Sequence, residues 1–241
     1  MDREKITAAA VRLLDADGLA KFSMRRLAAE LGVTAMSVYW YVDSKDDLLE
    51  LAMDAAEGEL DLPDPADTEA DWREQLRHLA YEYRRLFNVH PWVSQMVGSY
   101  LNIGPHAMAF SHAAQGIMRR TGLPAPQLTG AMAALFQFVY GYSTTEASWN
   151  GRCRAAGLSA DEYLSTVYGK IEGRAEYEDS LRLMEQGGGS TVHEMRERDF
   201  TVALDCILAG MDALTVATHT TRDRAENPHG PSQPAQSAQR P

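Results

Sequence analysis

The chain has 241 residues, of which 45% are hydrophobic, and it carries a formal net charge of −11. Its length fits one large unit or a small unit joined to a larger one, with enough apolar residues to bury a core. No apolar run approaches the roughly 18 residues of a membrane span and no signal segment follows the charged start, so we expect neither membrane insertion nor secretion. Cys153 and Cys206 lack a metal-type spacing, which favours reduced thiols in a cytoplasmic protein that needs no cofactor and no metal.

Helical spacing of apolar residues and clear capping signals predict an all-α fold with no strand. The first helices are expected at residues 3–15, 23–31, 35–41 and 44–60. Gly32 permits a sharp turn between the second and third helices, and residues 44–47 resemble a capping box at the start of the fourth. The pattern predicts a small three-helix head of the helix-turn-helix type, and the fourth helix leads out of it.

A Pro-rich, acidic linker at residues 61–70 separates this head from a larger helical body. Pro91 and Pro105 fit the first turns of body helices, and further helices are expected at 126–150, from 159 to about 187, and from 191 onward. The predicted organisation is a helix-turn-helix unit at 1–60, a larger helical unit at 71–217, and a disordered tail at 218–241.

The net negative charge argues against nucleic acid binding, because contacts with phosphate groups favour Lys and Arg. Charge within the head is distributed differently. Between residues 21 and 45 there are four basic residues and two acidic ones, namely Lys21, Arg25, Arg26, Lys45, Glu30 and Asp43. An acidic body with a locally basic tip can therefore still bind DNA, with a strong dependence on salt.

The third helix is predicted to enter the major groove with the side opposite Val38. Arg25 suits a guanine edge or a phosphate, and the hydroxyl groups near the turn suit phosphate or base contacts. We expect Trp40 to be partly buried and its two neighbouring tyrosines to be exposed. The predicted DNA contacts are Arg25, Thr34, Ala35, Met36, Ser37, Tyr39, Trp40, Tyr41 and Lys45.

The stretch FSMRRLAAELGVTAMSVYWYVDSKDDLLELAM at residues 22–53 resembles the DNA-binding head of the TetR family. The body resembles the tetracycline-repressor branch of that family at Asp71-Trp72-Arg73, Arg84-Arg85, His90-Pro91-Trp92 and the spaced residues Phe200, Leu204, Leu208 and Gly210-Met211. The resemblance implies a repressor that binds a near-palindromic operator in double-stranded DNA as a homodimer. It also implies release by a small hydrophobic or aromatic inducer.

Two sets of body residues are candidates for these roles. Apolar stripes on the helix at 126–150 and on the last helix predict a dimer interface at Leu128, Leu135, Leu204, Ile207, Leu208 and Met211. Large and polar-tipped side chains predict a ligand cavity lined by Tyr83, Trp92, Met96, Tyr100, Phe110, His112, Met132, Phe136, Gln137, Tyr140 and Glu146. Such stripes also occur in ordinary helical cores, which is the alternative interpretation for each residue.

The sequence differs from tetracycline repressors at the positions that are expected to bind the drug. Tyr100 stands near the position of a magnesium-binding His, and Leu79 replaces a polar amide. We therefore expect an inducer other than tetracycline, such as an aromatic polyketide or another antibiotic.

No nucleophile elbow, phosphate-binding loop or metal-spaced cluster is present in the sequence, so an enzyme is not expected. The alternatives are a DNA-binding regulator without an inducer, or a transcriptional activator. In the favoured mechanism, ligand stabilises a dimer whose heads lie too far apart for adjacent grooves, with the fourth helix acting as a lever.

Overall fold

The computed structural model describes residues 2–100 and 102–226. Over these residues the fold is all-α, as predicted, with one isolated bridge between Val97 and Tyr100 and no longer strand. The α-helices of this part of the chain are α1 (Arg3–Asp17), α2 (Met24–Glu30), α3 (Ala35–Tyr39), α4 (Lys45–Glu57), α5 (Trp72–Val89), α6 (Pro105–Arg119), α7 (Ala125–Ala156), α8 (Ala160–Ile171), α9 (Glu178–Gly187) and α10 (Val192–Glu226). We call α1–α3 the head and α5–α10 the body.

Side-chain caps define the beginnings of the first four helices. Asp2, Ser23, Thr34 and Ser44 each accept a hydrogen bond from a backbone N–H in the first turn of the helix that follows. Such caps satisfy donors that have no partner inside the helix. At α4 the predicted capping box is formed in part, because the carboxylate of Asp47 accepts from the backbone N–H of Asp43 instead of from that of Ser44.

The head shares one hydrophobic core with the start of the body. Its centre is formed by fully buried apolar side chains of α1, α2, α3 and α4, among them Ile6, Leu14, Leu27, Val38, Leu48 and Leu49. Phe87, Trp92 and Met96 belong to the same cluster although they lie beyond α4 in the chain. The head is therefore seated on the body through apolar contacts, which couple the two mechanically.

The body has a second core between α5, α6, α7 and α10. Its buried residues include Leu76, Leu79, Ile117, Leu135, Phe200 and Leu204. α5 packs mainly on α7 and also on α6, and α10 packs on α7. This layered arrangement places α6 against α4, next to the exit from the head.

Several predicted helix bounds differ from the structure. The helix expected from residue 159 to about 187 is broken into α8 and α9 at Gly173, which has a φ of 74°. Pro105 begins α6 as predicted, whereas Pro91 lies in a turn before the short 3-10 segment Val93–Gln95. α10 continues to Glu226, so the helix does not end near residue 217, and the rest of the predicted tail, 227–241, lies outside the described residues. Within the part of the chain that is described, no helix combines the length and apolar character needed to cross a membrane.

Candidate DNA-binding surface and ligand site

The turn between α2 and α3 has the geometry of a helix-turn-helix. Gly32 adopts a φ of 66°, in the left-handed region that favours glycine. The backbone N–H of Val33 then donates to the carbonyl of Ala28 at 2.9 Å. Thr34 caps α3 by accepting from the backbone N–H of Ser37 at 3.2 Å. Together these contacts fix the direction in which α3 leaves the turn.

α3 has one buried side and one exposed side. Val38 is fully buried, whereas Met36 is 70% exposed and Trp40 is 83% exposed. The expectation that Trp40 is partly buried is therefore wrong. Val42, which is 1% exposed, fills the core position after α3 instead. Tyr39 and Tyr41 are exposed as expected, so all three adjacent aromatic side chains face solvent.

The basic residues around α3 differ in how free they are to contact DNA. Arg26 is held within the head by an ion pair with Asp17. Arg25 is exposed, and within the described residues it has no ion pair or hydrogen bond through its side chain. Lys45 lies at the start of α4 with its ammonium 5.8 Å from the centre of the Phe22 ring.

Arg3 is a functional candidate that the sequence reasoning missed. Its Nε donates to the backbone carbonyl of Tyr41 at 3.1 Å, which ties the end of α3 to α1. No sequence spacing signals this contact, since the two residues are separated by 38 positions.

α4 and α6 meet through a helix cap supplied by a distant residue. Oδ1 of Asp54, on α4, accepts hydrogen bonds from the backbone N–H groups of His106 and Ala107, both at 3.0 Å. A Cβ at Gly104 would lie 2.2 Å from this carboxylate, so glycine is needed for the close approach. The negative charge of Asp54 also lies where the dipole of α6 favours it.

A second polar junction connects α1 to the body. Oδ1 of Asp15 accepts from the indole Nε1 of Trp92 at 2.7 Å and lies 2.7 Å from Nδ1 of His90. The other ring nitrogen of His90 is 3.2 Å from a carboxylate oxygen of Glu59. Trp92 is thus fixed in the junction between head and body.

Four of the predicted ligand residues form one aromatic cluster between α5, α6 and α7. The cluster consists of Tyr83, Phe87, Phe110, Phe136 and Tyr140. Neighbouring ring centres lie between 4.6 Å, for Tyr83 and Phe87, and 5.8 Å, for Phe87 and Tyr140. Phe87 is the one member that the sequence reasoning left out.

Glu57, the last residue of α4, has a partly buried carboxyl group whose neighbours are Asn102 and Asp54. Burial raises the pKa of Glu57 to about 7, while the amide of Asn102 opposes the shift and the charge of Asp54 adds to it. Burial also raises the pKa of Tyr83, and the charge of Glu57 contributes to that rise. Tyr83 itself packs against the core that contains Met53 and Ala56 of α4.

Other predicted ligand residues lie elsewhere. Trp92 and Met96 are 1% and 0% exposed and belong to the core shared by head and body. His112 and Gln137 are exposed. Tyr100 donates its hydroxyl to Asp46 at 3.1 Å, and Glu146 forms an ion pair. Met132, by contrast, packs on the same second core as Tyr83, Phe110 and Phe136 of the cluster.

That ion pair is a buried structural contact. Arg84, whose side chain is 4% exposed, binds Glu146 through two hydrogen bonds of 3.0 Å and also pairs with Glu197. Glu146 lines a cleft of about 500 Å³ between α7, α8, α9 and α10. The other members of the predicted ligand set do not line this cleft.

The predicted dimer residues are mostly internal. Leu135 and Leu204 are 0% exposed in the single chain, and Leu208 and Met211 are 3% and 2% exposed. A side chain that is already buried loses no further area to a partner, so these four are core residues and their assignment to the interface is wrong. Leu128 and Ile207 are half-buried at the edge of the same core.

The chain combines an exposed helix-turn-helix with a helical body that holds an aromatic cluster, and one helix, α4, joins the two. This is the architecture of a DNA-binding transcriptional regulator. The chain belongs to the TetR family. Residues 6–52 match the family described as bacterial regulatory proteins, tetR family, and residues 64–215 match the tetracyclin repressor-like C-terminal domain.

Comparison with individual proteins agrees with this assignment. The chain is 36% identical over 160 residues to an HTH-type transcriptional regulator of Saccharopolyspora erythraea, covering 66% of this chain and 67% of that one. It is 35% identical over 161 residues to the HTH-type transcriptional repressor DrrR1 of Streptomyces coeruleorubidus, covering 66% of this chain but only 59% of the repressor. The structure of ActR from Streptomyces coelicolor in complex with actinorhodin superposes with a TM-score of 0.70 at 26% identity, covering 89% of this chain and 98% of ActR.

Proposed function

We propose that the protein is a ligand-responsive transcriptional repressor that binds a near-palindromic operator as a homodimer and is released by a small aromatic inducer. The observation that carries the proposal is the position of α4. This helix leaves the exposed helix-turn-helix, caps α6 through Asp54, and shares a hydrophobic core with Phe87, against which Tyr83, Phe110 and Tyr140 pack. Binding in the cluster can therefore change the angle at which the head is held.

Contact with DNA is assigned to the exposed side of α3. Met36, Tyr39 and Trp40 project from it, and Arg25 and Lys45 supply positive charge on either side. The aromatic and methionine side chains suit thymine methyl groups, while the hydroxyl and basic groups suit phosphates. Thr34, Ala35, Ser37 and Tyr41 complete the proposed surface.

Two copies are needed because one short α3 contacts few base pairs. Dimers of this type place their two recognition helices about 34 Å apart, in successive major grooves. The proposed partner-binding face consists of exposed residues on α7 and α10, most of which have small side chains. They repeat at steps of four and three residues, at Gly130, Ala134, Gln137 and Gly141 on α7 and at Val202, Cys206, Ala209 and Ala213 on α10.

Small residues at this spacing allow two helices to approach closely, as in a four-helix bundle. A Cβ added at Gly130 or Gly141 would meet no atom within 4 Å, so both positions open outward from the subunit. This face replaces the buried leucines as the proposed interface.

The ligand is assigned to the aromatic cluster in preference to the cleft near Glu146. The cluster lies against α4, whereas the cleft is lined only by α7 to α10 and by residues next to them. Ligand that moves α4 lowers operator affinity, and by linkage operator DNA lowers ligand affinity by the same factor. Because ActR is described in complex with actinorhodin, an aromatic polyketide or a related antibiotic is the proposed class of inducer, with tetracycline not expected.

The experiment has two parts. Operator sequences are first selected from a random duplex library with the purified protein, and the affinity of the best site is measured by fluorescence anisotropy. A panel of aromatic polyketides, with tetracycline plus magnesium as a comparison, is then added to the complex. The proposal is supported if at least one aromatic compound releases the operator at a concentration that also stabilises the free protein. It is contradicted if no compound that stabilises the free protein releases the operator.

A further inference from the structure

The cleft between α7, α8, α9 and α10 has the size and the lining of a site for a small organic molecule. Its volume of about 500 Å³ lies within the range of roughly 300–1,000 Å³ that such sites occupy. The large apolar side chains of its wall are Phe138, Tyr142 and Trp149 on α7, Leu164 on α8, Met184 on α9, and Val192 and Met195 on α10. The wall shares no residue with the aromatic cluster, so the cleft is separate from the proposed inducer site.

The helices α8 and α9 are attached to the body without a closed core of their own. No side chain of α8 is buried, and neither is any described side chain of α9. A pair of helices in a folded protein normally buries an apolar face. Leu164 and Met184 instead line the cleft, and both also line a second hollow of about 440 Å³. The apolar side of this helix pair therefore faces a cavity rather than packed side chains.

The charged groups of the cleft wall pair within the protein. Glu146 is bound by Arg84 and also lies 3.7 Å from Nη1 of Arg196. Arg198 donates through Nε to Asp199 at 2.9 Å. Two acidic and two basic side chains line the cleft, so neither charge is in excess. Because moving an unpaired charge out of water is costly, such a wall suits an uncharged molecule.

Trp149 brings a hydrogen-bond donor to this apolar wall. Its indole Nε1 is buried and has no acceptor within the described part of the chain. The indole ring is held by the edge-to-face ring of Tyr163, 5.0 Å away, and by the guanidinium of Arg196, 6.0 Å away. The hydroxyl groups of Tyr142 and Thr145 already donate to backbone carbonyls, at 2.7 Å and 2.9 Å. A buried indole N–H normally has an acceptor, so the wall is suited to a molecule that supplies one.

We propose that the cleft is a second small-molecule site, which takes an uncharged, flat aromatic molecule with a carbonyl oxygen. The oxygen accepts the hydrogen bond of Trp149, and the rings pack against the aromatic and methionine side chains of the wall. The bound molecule gives Leu164 and Met184 an apolar surface, so it tightens the attachment of α8 and α9 to α7 and α10. The inference is independent of the proposed function, because the cleft contains no residue of the head, of α4 or of the aromatic cluster.

The test compares chromone, a flat two-ring molecule with a carbonyl oxygen, with naphthalene, a hydrocarbon of similar shape. Binding is followed by nuclear magnetic resonance of the whole protein, whose four tryptophans give four indole N–H signals. The signal of Trp149 is the one that is missing in Trp149→Phe. The methyl signal of Met184, assigned with Met184→Leu, reports on the same cleft when Trp149 is replaced. Trp72→Phe is the matched control, because Trp72 lies on α5 and outside the cleft.

Chromone is expected to move the Trp149 signal to higher proton frequency, as a newly formed hydrogen bond does, and naphthalene is not. Measured by the Met184 signal, chromone binds about fivefold more weakly to Trp149→Phe than to the wild type, which is the effect of one neutral hydrogen bond. Naphthalene binds these two proteins equally, and Trp72→Phe binds both compounds as the wild type does. Circular dichroism establishes that each variant is folded.

Three results overturn the inference. They are a Trp149 signal that chromone leaves unmoved up to its solubility limit, equal chromone affinity in the wild type and Trp149→Phe, and an equal loss of affinity for both compounds in that variant. The partner subunit is the alternative occupant, because Gly141 belongs both to the cleft and to the proposed dimer face. If chromone moves the Trp149 signal only in Ala134→Glu, which is designed to separate the subunits, a second copy fills the cleft and the proposal is wrong.

Discussion

The carboxylate of Asp54 on α4 caps the first turn of α6 at His106, whose backbone N–H donates to Oδ1 at 3.0 Å. A helix that leaves the DNA-binding head thus provides the N-terminal cap of a helix in the body. The contact closes over Gly104, where any side chain would collide with Asp54. This cap makes the orientation of α4 depend on the position of α6, which packs beside the aromatic cluster.

Replacement of Asp54 by Ala removes the cap and is expected to lower the free energy of unfolding by about 1–2 kcal/mol, the usual cost of a lost N-cap. Thermal and urea unfolding measure this loss. Asp54→Asn keeps an acceptor at the same place and is expected to recover most of the stability. If Asp54→Ala unfolds at the same urea concentration as the wild type, the cap does not stabilise the junction.

Replacement of Trp40 or Tyr39 by Ala is expected to weaken operator binding while leaving the fold unchanged. Trp40 is 83% exposed and Tyr39 is 43% exposed, so neither supports the core. Operator affinity by anisotropy is expected to fall about tenfold or more for each, with little change in melting temperature. Val38→Ala is the matched core variant, and it should lower the melting temperature. A large loss of stability in Trp40→Ala would show that this residue belongs to the core after all.

The buried ion pair of Arg84 with Glu146 gives a prediction about stability rather than about ligand binding. Glu146→Leu leaves the guanidinium of Arg84 partly uncompensated in the core, which typically costs about 3–5 kcal/mol. Glu146→Gln keeps an acceptor and is expected to cost less. Urea unfolding measures both. An unchanged midpoint for Glu146→Leu, together with a loss of ligand affinity, would favour the ligand role predicted from the sequence.

The dimer face is tested by a pair of substitutions on α7 and α10. Ala134→Glu places a charge on the exposed small-residue side of α7 and is expected to give folded monomers in analytical ultracentrifugation. Leu204→Ala opens a cavity in the body core and is expected to lower stability by about 2–5 kcal/mol while the protein remains dimeric. Dimers that survive Ala134→Glu but dissociate in Leu204→Ala would restore the interface predicted from the sequence.

The elements that sequence could predict are those fixed by local chemistry. Ser23, Thr34 and Ser44 cap the helices predicted from them, and Gly32 forms the predicted turn. Such features depend on a few adjacent residues, so their spacing is sufficient. The helix break at Gly173 was missed because a glycine within a helical pattern is often tolerated.

The parts of the site that sequence could not predict depend on contacts across the chain. An apolar stripe on a helix looks the same whether it faces its own core, as Leu204 does, or a second subunit. Trp92 is likewise of a residue type that is common in ligand sites, but its indole N–H donates to Asp15, which lies 77 positions away in the sequence. Asp54 likewise carries no local signal of its role, because the N–H groups that it caps belong to His106 and Ala107, more than 50 positions away.

The measurement that tests the central claim most directly is the distance between the two heads of the dimer, with and without ligand. A spin label at Glu30→Cys, on the exposed end of α2, reports this distance by pulsed electron resonance when Cys153 and Cys206 are replaced by Ser. We expect a narrow distance distribution on operator DNA and a shift to longer distances when a ligand that stabilises the free protein is added. An identical distribution at saturating ligand, with the operator still bound, would contradict the account.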